Sequence, residues 1–162
     1  MHLIVKAVRM KYVIPFLFLS SIAFGQTKVV KYDAIEGLLL SPSDRIQVIN
    51  FWATWCAPCI KELPMFERLT SEQRSDINVT LVSLDFADKV DKVDLFLSRK
   101  QMKSTVLLLD EIDYNLWIDK VEKSWSGAIP ATLVINSKTG KRKFVEKELK
   151  EGDLEELINA VR

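Results

Sequence analysis

The chain of 162 residues has one histidine, two cysteines, five glycines and five prolines. With only His2 available, histidine-based catalysis and histidine-rich metal sites are excluded. Charge of one sign is not in excess either: 23 Lys and Arg face 22 Asp and Glu, for a net +1. Such a balance gives no electrostatic pull toward nucleic acid or anionic lipid. No internal repeat, low-complexity tract or linker-like Pro/Gly/Ser stretch divides the chain. What is present is 48% apolar residues, enough to fill the core of one ordinary domain. The only reactive side chains of note are Cys56 and Cys59.

Residues 1–25 carry Lys6, Arg9 and Lys11 and no acidic residue. A greasy run of 13 residues follows at 12–24, interrupted by Pro15, with Ala23 and Gly25 at its end. Basic start, short apolar middle and small residues are the parts of a secretory signal. A membrane span needs ~20 residues, so a retained anchor is the weaker reading. Cleavage is expected between Gly25 and Gln26, leaving residues 26–162 as the domain; Met10 is an alternative start. The removed part takes three positive charges with it and turns +1 into −2.

Apolar patterning then predicts alternating strands and helices. Residues 28–32 read as an edge strand and 33–40 as a helix with Ile35, Leu38 and Leu39 inward. Residues 46–51 (IQVINF) read as a buried strand running into a helix that carries Ile60, Leu63, Phe66 and Leu69, kinked at Pro64. Strands at 79–84 and 106–109 flank a helix at 89–99. Residues 114–125 place Trp117, Ile118, Val121 and Trp125 at helical spacing, with Trp117 read as core. A hairpin follows, with strands at 131–135 and 141–148 and a solvated outer edge guarded by lysines. Asp153 is expected to cap a last helix, with Glu156 three residues on. That order implies an α/β fold, a central mixed β-sheet with helices on both faces.

Three readings compete for Cys56-Ala57-Pro58-Cys59. A structural disulfide closes so short a loop that it stabilises little. A zinc clip needs four ligands, and this chain supplies one pair. A redox couple has positive support, because the pair sits where a buried strand turns into a helix. There the unpaired N–H groups and the positive end of the helix dipole favour a thiolate at Cys56, the attacking form in disulfide exchange. Pro58 suits the first turn, which does not need its N–H. Cys59, one turn on, can reach back to resolve a mixed disulfide.

Residues 51–59 (FWATWCAPC), with Pro64 five residues past the second cysteine, resemble the active-site segment of the thioredoxin superfamily. Ala128-Ile129-Pro130-Ala131-Thr132 resembles that superfamily's cis-proline loop. With the export signal, the chain is most similar to the exported TlpA/ResA-like thiol–disulfide oxidoreductases, from about Asp33 to Val161. The resemblance implies a thioredoxin-like fold, an exposed nucleophile at Cys56 and a buried resolving thiol at Cys59. It implies a cis bond at Pro130, with the Ile129 backbone facing the cysteines to pair with an extended substrate. Trp55, Ala57 and Pro58 would belong to the docking surface.

Cytoplasmic thioredoxins carry a buried Asp six residues before the first cysteine; here that position is Asn50, which does not titrate. Glu62 matches a glutamate of the ResA-like branch and could move the proton instead; alternatively it is a solvated helix residue. A half-buried carboxylate beside thiols would have a raised pKa. A peroxidase reading fails because Ala53, not threonine, stands three residues before Cys56.

The expected activity is reduction of protein disulfides outside the cytoplasm, cytochrome c maturation included, by a monomer without metal or organic cofactor. By resemblance its electron donor is a membrane thiol reductase. Two rivals stand beside it: a disulfide oxidant or isomerase on the same fold, and a redox-sensing binding module without turnover.

Overall fold

The computed structural model of the protein describes residues 27–162. The expected export segment and His2 lie outside the described residues. In chain order the elements are β1 (Lys28–Val30), α1 (Tyr32–Leu40), β2 (Ile46–Trp52), α2 (Ala57–Ser71), β3 (Ile77–Ser83), α3 (Val90–Lys100), β4 (Thr105–Leu109), α4 (Ile118–Val121), β5 (Ala131–Asn136), β6 (Lys141–Val145) and α5 (Asp153–Val161).

The strands form one sheet in the order β1-β4-β3-β2-β5-β6. β2 is central and buried at all seven positions, as expected for a strand covered on both faces. It runs parallel to β3 and antiparallel to β5, setting Asn50 opposite Leu81 on one side and Thr132 on the other. Its side chains alternate between two apolar layers. Val48 and Trp52 join Cys59, Leu63, Phe66 and Leu69 of α2 and Ile158 of α5. Ile49 and Phe51 join Ile35 of α1 together with Trp117 and Trp125. Asn50 shares the parity of Val48 and Trp52 and so faces α2. Helices therefore cover both faces, and the sheet is mixed. β6 is the outer edge, with Lys141, Arg142 and Lys143 exposed.

Three expectations need correction. Residues 114–125 are not one helix: a short 3-10 turn (Tyr114–Leu116) and the single turn α4 are separated by Trp117 at φ −136° and ψ −27°. Trp117 and Trp125 instead meet edge to face at 5.4 Å, and Phe51 approaches Trp125 at 4.6 Å. Burying these rings together outweighs a continuous backbone helix. Second, Asp153 is the first residue of α5 rather than its cap; Gly152, at φ +92°, precedes the helix. The Asp153 carboxylate turns back to accept the Lys150 N–H at 3.1 Å. Third, β6 ends at Val145, because Glu146 and Leu149 are drawn into contacts at the other end of β5 and on α2. α2 runs through Pro64 without interruption, and Pro64 is exposed.

Candidate active site

The C-terminal ends of β2 and β3 lie beside the start of β5, and the loops there build the site. After Trp52 the chain makes a turn closed by the Cys56 N–H on the Ala53 carbonyl at 3.1 Å. Asp85, just beyond β3, fixes that turn. Its carboxylate accepts the Thr54 N–H at 2.9 Å, the Thr54 hydroxyl at 2.6 Å and the Ser83 hydroxyl at 2.8 Å.

Cys56 is the N-cap of α2, in extended backbone conformation, and its sulfur accepts the Cys59 N–H at 3.3 Å. Pro58 falls in the first turn, where no intrahelical N–H is needed. The two cysteines are joined, with an S–S distance of 2.03 Å and a Cα–Cα distance of 5.3 Å. Cys56 is less exposed than the family pattern implies: it retains 5% of its surface and Cys59 none. The cause is cover from the cis-proline loop. The Ile129–Pro130 bond is cis, and the Ile129 carbonyl lies 3.8 Å from the Cys56 sulfur. A disulfide sulfur has no proton to donate, so this is a contact; a reduced Cys56 thiol could donate there. Trp55, 67% exposed, and Ala57 stand in solvent beside the pair, Pro58 and Ile129 are half-buried, and Pro130 is buried.

Glu62 is not a solvated helix residue. Spaced three from Cys59 and four from Phe66, it lies on the inner face of α2 and is 1% exposed. One carboxylate oxygen accepts the Asn50 side-chain N–H at 2.8 Å, and the other the Leu149 N–H at 2.7 Å. The Asn50 amide also donates to the Thr132 hydroxyl at 3.0 Å, while its own oxygen is buried without a partner. Burial pushes the Glu62 carboxyl up to about 7, against the downward pull of the Leu149 and Asn50 hydrogen bonds, with Glu148 adding to the rise. The Asn50 amide can serve both protonation states. As drawn it donates to an ionised Glu62; rotated by half a turn, its free oxygen accepts from a protonated one.

Sequence reasoning missed Asp85, Glu146 and the Leu149 N–H, and it quoted Thr54 and Thr132 only as parts of motifs. Among the described residues, no group of three or more His, Cys, Asp or Glu could hold a metal ion. A cavity of about 360 Å³ lies at the opposite end of the sheet, beside Arg45, Arg74 and Thr105, away from the cysteines.

A mixed sheet of this order, a cysteine pair opening the helix after its central strand and a cis-proline loop beside it define a thioredoxin-like protein. The chain belongs to the AhpC/TSA family, whose family model matches residues 35–141. It is 42% identical over 45 residues to the thioredoxin-like protein YneN of Bacillus subtilis, covering 28% of this chain and 26% of that protein. It is 41% identical over 51 residues to the thiol-disulfide oxidoreductase ResA of Oceanobacillus iheyensis, covering 31% of this chain and 26% of that protein. These alignments span about a quarter of each relative's length. Among solved structures, a thioredoxin-related protein from Neisseria meningitidis serogroup B superposes with a TM-score of 0.63 at 24% identity. That superposition covers 75% of this chain and 87% of the other.

Proposed function

We propose that the protein is an exported thiol–disulfide oxidoreductase that reduces disulfides in other proteins through Cys56 and Cys59. The observation that carries this reading is Cys56 at the N-cap of α2, its sulfur receiving the Cys59 N–H, with a buried carboxylate on the same helix face as Cys59. The N–H and the helix dipole stabilise a Cys56 thiolate. That thiolate attacks one sulfur of a substrate disulfide, and the first substrate thiolate leaves. Glu62 takes the proton of Cys59, whose thiolate attacks the Cys56 sulfur; the mixed disulfide breaks and the second substrate thiolate leaves. Two electrons pass to the substrate, and the protein is left with the Cys56–Cys59 disulfide. A dithiol donor must then return two electrons; a membrane thiol reductase fits that need outside the cytoplasm.

Trp55, Ala57, Pro58, Ile129 and Pro130 form the docking surface in this reading. Residues 1–25 are the cleaved export signal, supported by their basic start and short apolar run. Residues 26–162 then act as one monomeric domain in the periplasm or cell envelope, with apocytochrome c cysteines among its substrates. No helix of the described residues is long and apolar enough to cross a membrane.

The test is reduction of insulin by dithiothreitol with and without the purified protein. Acceleration is expected, and its absence would favour a binding module without turnover. The potential of the couple then gives direction: a value near thioredoxin's ~−270 mV supports a reductant, one near ~−120 mV an oxidant.

A further inference from the structure

The loop that brings Ile129 to Cys56 has little apolar cover of its own: Ser124, Ser126 and Ala128 are exposed. Its first anchor is aromatic. Trp125 is buried against Phe51, and its indole N–H donates to the Ala128 carbonyl at 2.8 Å. The second anchor comes from the far side of the hairpin. Glu146, one residue beyond β6, accepts the Ser126 N–H at 3.1 Å with one oxygen. With the other it accepts the Ala128 N–H at 2.9 Å, and the Ser126 hydroxyl closes on the same atom. Ala128 is thus fixed through both its N–H and its carbonyl, one residue before Ile129. Gly127, between the two anchored residues, is at φ +92°, a backbone conformation that favours glycine, and a Cβ there would meet Ile118 Cδ1 at 2.9 Å.

We propose that Glu146 is a positioning residue for substrate docking: its carboxylate holds residues 126–128 so that the Ile129 backbone is presented to a peptide bound at Cys56. This rests on the oxidoreductase reading and extends it to a residue that touches neither cysteine. Three donors converge on Glu146, which suits an ionised carboxylate with acceptors only. A glutamine would turn an N–H₂ toward one of them. Although partial burial raises its proton affinity, the hydrogen bonds from Ser126 and Ala128 win, and Glu146 stays below the usual carboxylate range.

The role separates substrates that pair with backbone from those that do not. The test compares wild type, Glu146→Gln and Ser126→Ala on a disulfide-bonded peptide and on the small aromatic disulfide DTNB. For Glu146→Gln, KM for the peptide should rise about tenfold with kcat nearly unchanged, because the loop must now be ordered on binding. The DTNB rate and the Cys56–Cys59 potential should not move. Ser126→Ala, which removes one of three donors, should give a smaller rise of about twofold in the same parameter. An unchanged peptide KM in both variants, or equal losses on peptide and DTNB, would overturn the role of Glu146 while leaving the oxidoreductase reading intact. If wild type reduces neither substrate, that reading fails, and the role of Glu146 with it.

Discussion

Glu62 and Glu146 flank the same disulfide, one from the helix side and one from the loop side, and their proton affinities move in opposite directions. Both accept a backbone N–H, so hydrogen bonding alone does not separate them. Glu62 lies on the inner face of α2 with almost no contact with water and two donors, and the loss of hydration outweighs both. Glu146 is half-buried at the rim and receives three donors, which together outweigh its smaller loss. The balance of donors against lost water makes one carboxylate a group that exchanges its proton near neutrality and the other a fixed anion. In the proposed reading the same residue type would serve proton transfer on one side of Cys56 and loop geometry on the other.

The largest effect expected at this site is loss of all turnover in Cys56→Ser, read as insulin reduction at the rate of dithiothreitol alone. That variant removes the reaction both carboxylates would serve. Next comes Glu62→Gln, which should slow exchange at pH 8 by about a hundredfold, the lower end of what a positioned general base contributes. It should also erase the step near pH 7 in the pH–rate profile; a profile matching wild type would remove Glu62 from the mechanism. The same variant sharpens a stability difference. The folded-state pKa of Glu62 is raised from 4.5 to about 7, so the fold binds more protons than the unfolded chain between those values. That contribution is complete below pH 4.5 and is lost as pH rises through 7, by about 3 kcal/mol at most. Urea denaturation at pH 5 and pH 8 should show this decline in wild type and a flat response in Glu62→Gln.

A more modest shift is expected from Asn50→Asp, which replaces a donor facing Glu62 with a second carboxylate. Like charge should raise the midpoint of the pH–rate profile by about one unit. An unmoved midpoint would mean that Asn50 does not tune Glu62, and a lowered one that repulsion between the two carboxylates does not govern it. The smallest effect belongs to the rim. Because its pKa is lowered, Glu146 keeps its contribution above the ordinary carboxylate value and loses it as pH falls through the folded one. Peptide affinity of the oxidised protein should therefore stay constant from about pH 8 to 5 and weaken only once pH falls below the ordinary carboxylate range, as isothermal titration would read.

How far the sequence disclosed this arrangement depends on the distance over which each contact acts. β2 and the cysteine turn were readable because an apolar strand, a CxxC pair and Pro58 are local signals. Glu62 was readable as a candidate only through its match to a glutamate of the ResA-like branch, and its burial was not readable, since Asn50 and Leu149 reach it from 12 and 87 residues away. Asp85 meets Thr54 across 31 residues, and Glu146 meets Ser126 across 20. No local pattern marks either. Residues 114–125 misled for the same reason: Trp117 and Trp125 keep helical spacing, yet Phe51 on β2 determines where the rings go. The cap of α5 was misread because Asp153 found a donor in Lys150, just before the helix, instead of one inside it.

The opposition between the two carboxylates can be read in one experiment, a carbon-detected NMR titration of the glutamate side chains in the oxidised protein from pH 3 to 9. The account requires Glu62 to titrate near 7 and Glu146 below the usual carboxylate range in the same sample. Glu62 titrating at or below its ordinary 4.5 would contradict it.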